Sequence, residues 1–290
     1  MKKAVLKLIF ALLSFASLKT IYFFGEVIGF FLSISPNSIK RNTQINLNLC
    51  FPKKSSEQIK YLTKKSLKES SKSALESCKY WDGHNKKDLS LIVEVKGQDL
   101  IINSLKEGKG VILFTPHIGN IEILISLIAA KFNCTVPYTP AKIKALDELV
   151  KTSRTLMGAN MVKADSGGIR SCLKSLYDGN LVLMASDQVP KKGNGIISPF
   201  FNLPALSVSL ISTMARKTKS PCHSVSCLRK GGGRGFSIIF NKKVKELNDL
   251  IVQEGVNLMN RELEECIMKA PEQYAWEYKR FKNSTFKNPY

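Results

Sequence analysis

The sequence has few acidic residues, and it lacks the motifs of the common nucleic-acid-binding modules. In 290 residues, 23 Asp and Glu stand against 44 Lys and Arg, which gives a formal net charge of +21. A chain with this balance is attracted to polyanions such as nucleic acid, anionic lipid headgroups, phosphorylated glycolipids and acidic carrier proteins. No helix-turn-helix, zinc finger or aromatic-interleaved RNA motif is present, so we predict no nucleic-acid partner. A lysine-rich composition without any binding role is the alternative explanation of the charge.

The cysteines form no C-x-x-C pair, although the chain has seven of them. Cys222, His223 and Cys227 lie close together, but a zinc site needs a second ligand pair at a defined spacing. We therefore predict reduced, buried thiols in a protein that faces the cytosol, with no metal. No motif requires a cofactor.

The apolar N-terminal region has no charge-free run long enough to cross a bilayer. Residues 4–34 are mostly Leu, Ile and Phe, but the stretch Leu8–Leu18 is shorter than the roughly 20 residues that a span needs. No A-x-A-like cleavage site follows, so a signal peptide fits poorly. Lys19, Glu26 and Ser33 recur at helical spacing and share one narrow face. We predict a membrane-associated helix with this polar seam turned toward protein or headgroups; a buried helix of a soluble core is the alternative.

The rest of the chain alternates apolar runs with helical patterns. Gly110–Thr115 (GVILFT) and Leu181–Ala185 are nearly continuous apolar runs, which are typical of strands buried on both faces. Helical periodicity follows over Ile121–Ala130 and again over Ser207–Lys217. This alternation predicts an α/β fold with a largely buried sheet.

One histidine stands in the turn between a buried strand and its helix, where the functional groups of open α/β sheets collect. His117 and Glu122 are five residues apart, which on a continuous helix would separate their side chains by about 140°. His117 precedes the helix, so the chain can bend the carboxylate toward the imidazole, with Gly119 giving conformational freedom and Asn120 capping. Such a pair removes a proton from a hydroxyl, and helix N-terminal amides can stabilise an oxyanion. A structural histidine and a chance pairing are the alternatives.

Four segments, in order along the chain, resemble blocks of one enzyme family. TPHIGNIEI resembles the catalytic motif of the lipid A biosynthesis acyltransferase family, the late lauroyl and myristoyl transferases. RNTQINLNLCFP resembles the family's segment after its membrane anchor, and SDQVPKKGNGIISPFFNLPA resembles its second block. PEQYAWEYKRFK resembles its C-terminal signature. Four blocks in the right order are far more specific than any one of them.

The resemblance implies a fold, a reaction and a location. The fold would be α/β and similar to glycerol-3-phosphate acyltransferases: a central mixed sheet flanked by helices, with an N-terminal membrane-associated helix. We therefore predict an anchor over residues 1–35 and a single acyltransferase domain over residues 36–290. The reaction would transfer a lauroyl or myristoyl chain from acyl carrier protein to a hydroxyl of a hydroxyacyl chain on a Kdo-bearing lipid A precursor. The implied partners are acyl carrier protein, a phosphorylated glycolipid and the anionic inner membrane, with the catalytic domain on its cytoplasmic face.

The resemblance also assigns catalytic residues. By position, His117 would be the base and Glu122 its partner. Arg154 matches a family arginine thought to steady the oxyanion; a solvated helix charge is its alternative.

Five further residues are substrate-binding candidates: Asn120, Asp187, Gln188, Lys191 and Lys192. Asp187 could instead orient Arg154 or only form a turn at a strand end. The two lysines would meet the phosphates of the precursor, or they belong to a solvated loop. Ile118 and Ile121 stand where the family often has aromatic residues, which bears on chain-length preference rather than on the type of reaction.

Three other functions compete with this interpretation. An acyltransferase that acts on another glycolipid or an aminolipid would use identical chemistry. A nonenzymatic basic protein that binds anionic membranes would explain the charge and the N-terminus, but not a histidine and a glutamate at a strand end. A hydrolase needs a nucleophile, and no G-x-S-x-G elbow is present.

Overall fold

The architecture is α/β, seen in a computed structural model that describes residues 10–81, 89–191, 193–244 and 246–290. The described strands are β1 (Ile92–Lys96), β2 (Val111–Thr115), β3 (Cys134–Tyr138), β4 (Asn160–Lys163), β5 (Leu181–Ala185), β6 (Gly195–Phe200), β7 (Leu203–Val208), β8 (Cys222–Arg229) and β9 (Phe236–Lys243). The helices are α1 (Leu18–Ile34), α2 (Ser38–Cys50), α3 (Ser56–Trp81), α4 (Gln98–Leu105), α5 (Ile121–Lys131), α6 (Lys144–Leu156), α7 (Ser166–Tyr177), α8 (Leu210–Thr218) and α9 (Val252–Met268). Residues 10–15 are also helical.

One mixed sheet forms the centre of the protein. Its order within the described residues is β1-β9-β8-β2-β5-β3-β4, and β6 pairs with β7 in a separate antiparallel hairpin. In the large sheet, β8 and β9 run antiparallel, whereas the other neighbours run parallel. All five residues of β2 are buried, because apolar clusters cover both faces of the sheet. The predicted buried strands and the central mixed sheet flanked by helices are confirmed.

The hairpin β6–β7 corrects one prediction. Ser207 lies in β7, and the helix that we expected from this residue begins at Leu210. The buried Ser207 hydroxyl accepts a hydrogen bond from the Asn260 amide of α9 at 2.9 Å. A contact between residues so far apart in sequence leaves no local periodicity, so the helical pattern over Ser207–Lys217 was extended too far.

Helix α1 packs closely on α3. A Cβ atom at Gly29 would lie 2.4 Å from the Lys68 Cα atom, and only residues without a side chain permit this approach. The Glu26 carboxylate contacts the ammonium groups of Lys68 at 2.5 Å and Lys72 at 2.6 Å. The polar seam predicted for this helix therefore turns toward protein at Glu26.

The other side of α1 is apolar and exposed. Phe23 is 63% and Phe31 is 60% accessible to solvent. Among the described residues, no single helix has both the length and the hydropathy of a bilayer span, and α1 and α2 meet these criteria only as a pair bent by 80°. Residues 1–9 of the predicted anchor lie outside the described residues. Membrane association and the division at residue 35 stay predictions.

A buried ionic cluster ties α3 to the end of β8. The Arg229 guanidinium donates to both oxygens of Glu76, at 2.6 and 2.7 Å, and to Glu69 at 2.5 Å. The Arg229 and Glu76 side chains are only 3% and 1% exposed. Glu76 also accepts a hydrogen bond from the Asn120 amide at 3.1 Å, directly before α5. The cluster therefore joins α3, β8 and the turn after β2.

We expect Arg229→Ala to lower the free energy of unfolding by about 3–5 kcal/mol, because it leaves the buried Glu76 carboxylate without its cation and leaves Glu69 with Lys72 alone. Chemical denaturation of the purified protein, followed by circular dichroism, measures the change. Arg234→Ala removes an exposed guanidinium nearby and serves as the control. Equal midpoints for the two variants would contradict the prediction.

Candidate active site

Two side chains meet at the carboxyl ends of adjacent parallel strands. His117 follows β2, and Asp187 follows β5, which is paired with β2 in parallel register. The His117 Nδ1 atom lies 2.7 Å from Asp187 Oδ1, and the His117 main-chain N–H donates to Asp187 Oδ2 at 3.1 Å. The Asp187 side chain is 3% exposed and that of His117 is 31% exposed. A buried carboxylate therefore holds an imidazole that can reach substrate.

The turn that carries His117 is held by two neighbouring segments. Gly119 has a φ of 60°, and a Cβ atom there would lie 1.8 Å from the Cys227 carbonyl oxygen of β8. The Gly119 N–H donates to the Gln273 carbonyl at 3.0 Å, and the Ala275 N–H donates to the His117 carbonyl at 3.0 Å. The turn is thus pinned between β8 and the C-terminal segment, which fixes the direction of the imidazole.

The surroundings of the imidazole set its protonation. Burial lowers the pKa of His117, but the charge and the hydrogen bond of Asp187 more than offset this, so the pKa is raised. Burial raises the pKa of Asp187, and His117 outweighs this in turn, so the carboxylate stays ionised with a lowered pKa. Tyr274 also lowers the pKa of Asp187. Because an ionised carboxylate only accepts, Nδ1 carries the proton in the neutral ring and Nε2 keeps its lone pair.

Glu122 has a different partner from the one that the sequence predicted. Its buried carboxylate accepts hydrogen bonds from Arg154 Nε at 2.9 Å and Nη2 at 2.6 Å. The predicted pairing of Glu122 with His117 is therefore replaced by two pairs, His117 with Asp187 and Glu122 with Arg154. The physical reason is geometric: Glu122 lies inside the first turn of α5, whereas Asp187 follows β5, the strand paired with β2. Arg154 is 14% exposed in this bidentate pair and is not a solvated helix charge.

The structure places the remaining predicted residues at different depths. Asn120 is 0% exposed, and its side-chain oxygen caps α5 by accepting from the Glu122 and Ile123 main-chain N–H groups at 2.9 and 3.3 Å. The predicted cap is confirmed.

Two of the other substrate-binding candidates, Gln188 and Lys191, lie nearer the surface. The Gln188 amide nitrogen is 3.5 Å from His117 Nε2, so Gln188 borders the reactive side of the imidazole. Lys191 is exposed, and Lys192 lies outside the described residues. Substrate contacts by these residues stay predictions.

A pocket of about 220 Å³ opens beside His117. It lies between α3 and the C-terminal segment, and Ser70, Ser73 and Glu277 are part of its wall. The sequence interpretation missed this wall. Glu277 belongs to the block PEQYAWEYKRFK, which the resemblance had singled out. No local pattern in the sequence shows that this block packs against the His117 turn. A larger pocket, of about 440 Å³, opens at the amino ends of β3 and β4 and shares no residue with this site.

No group of three or more His, Cys, Asp or Glu side chains is placed to hold a metal ion within the part of the chain that the structure describes. Six of the seven cysteines are buried, as predicted. His223, near two of them, instead bonds the Ser104 hydroxyl at 2.8 Å and the Asn241 carbonyl at 3.0 Å.

The fold and the site together define an α/β enzyme in which a carboxylate-held imidazole can activate a hydroxyl. The family model described as "Bacterial lipid A biosynthesis acyltransferase" matches residues 4–283. The chain therefore belongs to the bacterial lipid A biosynthesis acyltransferase family, which confirms the predicted resemblance, and it is an acyltransferase.

Curated relatives agree with this assignment. The chain is 25% identical over 254 residues to the lipid A biosynthesis lauroyltransferase of Escherichia coli (strain K12), covering 84% of this chain and 80% of the relative. It is 24% identical over 264 residues to the lipid A biosynthesis palmitoleoyltransferase of the same strain, covering 90% and 84%. A lipid A biosynthesis acyltransferase of Haemophilus influenzae is 22% identical over 254 residues, covering 86% and 77%.

We expect Asp187→Asn to move the acid limb of the pH profile of kcat/KM to lower pH. The base must be neutral, and without the Asp187 charge the remaining effects of burial and Arg154 lower the pKa of His117. The maximal rate should fall by about 100-fold or more, because the amide no longer secures the tautomer or stabilises the imidazolium. Asp178→Asn, which alters an exposed ion pair with Lys174, is the control. An unmoved acid limb in Asp187→Asn would show that Asp187 does not set the basicity of His117.

We expect Glu122→Gln to reduce kcat while shifting the acid limb less than Asp187→Asn does. Glu122 bonds Arg154 rather than the imidazole, so its loss disturbs the position of Arg154 first. The same pH series measures both variants side by side. A larger shift of the acid limb in Glu122→Gln than in Asp187→Asn would support the pairing predicted from the sequence.

Proposed function

We propose that the protein transfers a lauroyl or myristoyl chain from acyl carrier protein to a hydroxyl of a hydroxyacyl chain on a Kdo-bearing lipid A precursor. The observation that carries the proposal is the His117 imidazole, which Asp187 holds at Nδ1 and which lines a pocket, in a member of this family. The acyl donor, the acceptor and the chain length rest on the resemblance described above.

In this reaction, His117 would act as the general base. Nε2 takes the proton of the acceptor hydroxyl while that oxygen attacks the carbonyl carbon of the thioester. The tetrahedral intermediate collapses as the C–S bond breaks, and the imidazolium returns the proton to the thiolate that leaves. Asp187 stabilises the positive charge on the ring between these two steps, which is the use of a buried carboxylate at Nδ1.

Arg154 would stabilise the oxyanion of the intermediate. Its two hydrogen bonds to Glu122 use Nε and Nη2, so Nη1 is the nitrogen that would donate to the oxyanion. Its charge already acts on the imidazole, since Arg154 is among the groups that lower the pKa of His117. Glu122 would then be a positioning residue that holds Arg154 in place.

The surface of the protein suits a lipid substrate and an acidic donor. The apolar outer side of α1, with Phe23 and Phe31 exposed, would lie in the inner membrane and keep the enzyme near its acceptor. The net charge of +21 favours anionic headgroups, the phosphates of the precursor and an acidic carrier protein. In this proposal the catalytic domain would lie on the cytoplasmic face of the membrane, where the carrier protein would be found.

The assay combines the detergent-solubilised protein with lauroyl, myristoyl and palmitoleoyl thioesters of acyl carrier protein and the Kdo-bearing precursor. The expected product is the precursor carrying one additional ester-linked chain, detected by mass spectrometry. His117→Ala should lower the rate by about 10²–10⁴-fold, the usual contribution of a general base. His223→Gln, away from the site, controls for loss of a buried histidine. Absence of product from the unmodified protein with every thioester would refute the proposal.

A further inference from the structure

The pocket beside His117 has a polar wall that the proposed reaction does not use. The carboxylate of Glu277 accepts a hydrogen bond from the Ser70 hydroxyl at 3.0 Å. Ser73 and Gln273 line the same pocket. These residues and His117 line the same pocket, so a substrate bound there beside the imidazole would contact them.

Glu277 is held firmly at this wall by helix α2. The Asn42 amide donates to the Glu277 carbonyl at 3.2 Å, and the Asn46 amide donates to the carbonyls of Trp276 at 2.6 Å and Tyr278 at 2.7 Å. Three consecutive carbonyl groups are thereby fixed by two side chains of one helix. The carboxylate is presented to the pocket from a rigid backbone, as recognition of a specific group requires.

The charges around the carboxylate limit which group can bind there. Burial raises the pKa of Glu277, and the Ser70 hydrogen bond and the charge of His117 offset this only partly. The described residues that line the pocket include no lysine or arginine. A phosphate would therefore meet the repulsion of the Glu277 carboxylate with no lysine or arginine in the wall to compensate it, and a fatty acyl chain would cover this carboxylate without donating a hydrogen bond to it.

The volume of the pocket also favours a small polar group. A pocket of about 220 Å³ has room for a few polar groups. Carboxylate oxygens accept hydrogen bonds, and serine hydroxyls both donate and accept them. The wall therefore complements a small neutral group that carries N–H or O–H donors next to a carbonyl or hydroxyl oxygen.

We propose that Glu277 and Ser70 form a subsite that binds a neutral amide- or hydroxyl-bearing part of a substrate next to the reacting centre. The inference rests on the proposed function for the position of that centre. Two substrate parts have this chemistry: the N-acylated sugar of the acceptor and the pantetheine arm of the donor. Glu277 does not take part in bond making in this proposal; it orients one substrate against His117.

Steady-state kinetics separate the two sources. Glu277→Ala should raise KM about tenfold for the substrate that uses the subsite, with a much smaller change in kcat, because a hydrogen bond to a charged group is lost. Glu277→Gln, which keeps an acceptor oxygen, should restore part of the affinity. A higher KM for the acceptor assigns the subsite to the sugar, and a higher KM for the donor assigns it to pantetheine. Glu265→Ala, which removes an exposed carboxylate from α9, should change neither KM.

A binding experiment tests whether the subsite exists without relying on enzyme turnover. Ligand-detected NMR would measure the binding of N-acetylglucosamine, pantetheine and inorganic phosphate to the unmodified protein and to the Glu277→Ala variant. One neutral probe should bind the unmodified protein at least fivefold more tightly than it binds the variant, and phosphate should not displace it. The subsite is overturned if Glu277→Ala changes neither the KM values nor the binding of either neutral probe, or if phosphate displaces them. Absence of product from the unmodified protein counts against the proposed function alone, because the binding arm still tests the subsite.

Discussion

The buried ion pair between Arg229 and Glu76 connects α3, β8 and the turn that carries His117. Taking two charges out of water is costly, and the cost is offset here by bidentate geometry and by Asn120, which donates to the same carboxylate. Asn120 caps α5 with its other end, and Gly119 next to it touches β8. The position of the His117 turn therefore depends on an interaction that lies behind it and that never meets substrate.

The site contains two separate pairs, His117 with Asp187 and Arg154 with Glu122, so each basic side chain has its own carboxylate. Asp187 raises the basicity of the His117 imidazole, while Glu122 orients the Arg154 guanidinium. An Arg–carboxylate fork fixes the plane of the guanidinium, and a single carboxylate at Nδ1 fixes the tautomer of the ring. If one carboxylate served both groups, the charge that favours the imidazolium would be partly cancelled by the arginine.

Helix α3 links the apolar outer surface to the pocket. One side of α3 receives Gly29 and Glu26 of α1, and another side contributes Ser70 and Ser73 to the pocket wall. Packed helices lie about 8–10 Å apart, so the surface proposed to enter the membrane and the imidazole are separated by little more than one helix. An acceptor whose acyl chains stay in the lipid could thus reach His117 with its polar part.

Local patterns in the sequence were sufficient to predict β2, β5, α5 and the turn that carries His117. Continuous apolar runs and helical periodicity can both be recognised within a few residues. The family followed from four blocks in order. The hairpin β6–β7 was not predictable in the same way, since its buried Ser207 depends on a helix far along the chain. The sequence by itself determined which chemical groups stand at the strand end, whereas only the tertiary structure decided that Asp187, 70 residues from His117, is its partner. The reason is that the order of strands in a sheet is set by packing over the whole chain, and no spacing along the sequence records it.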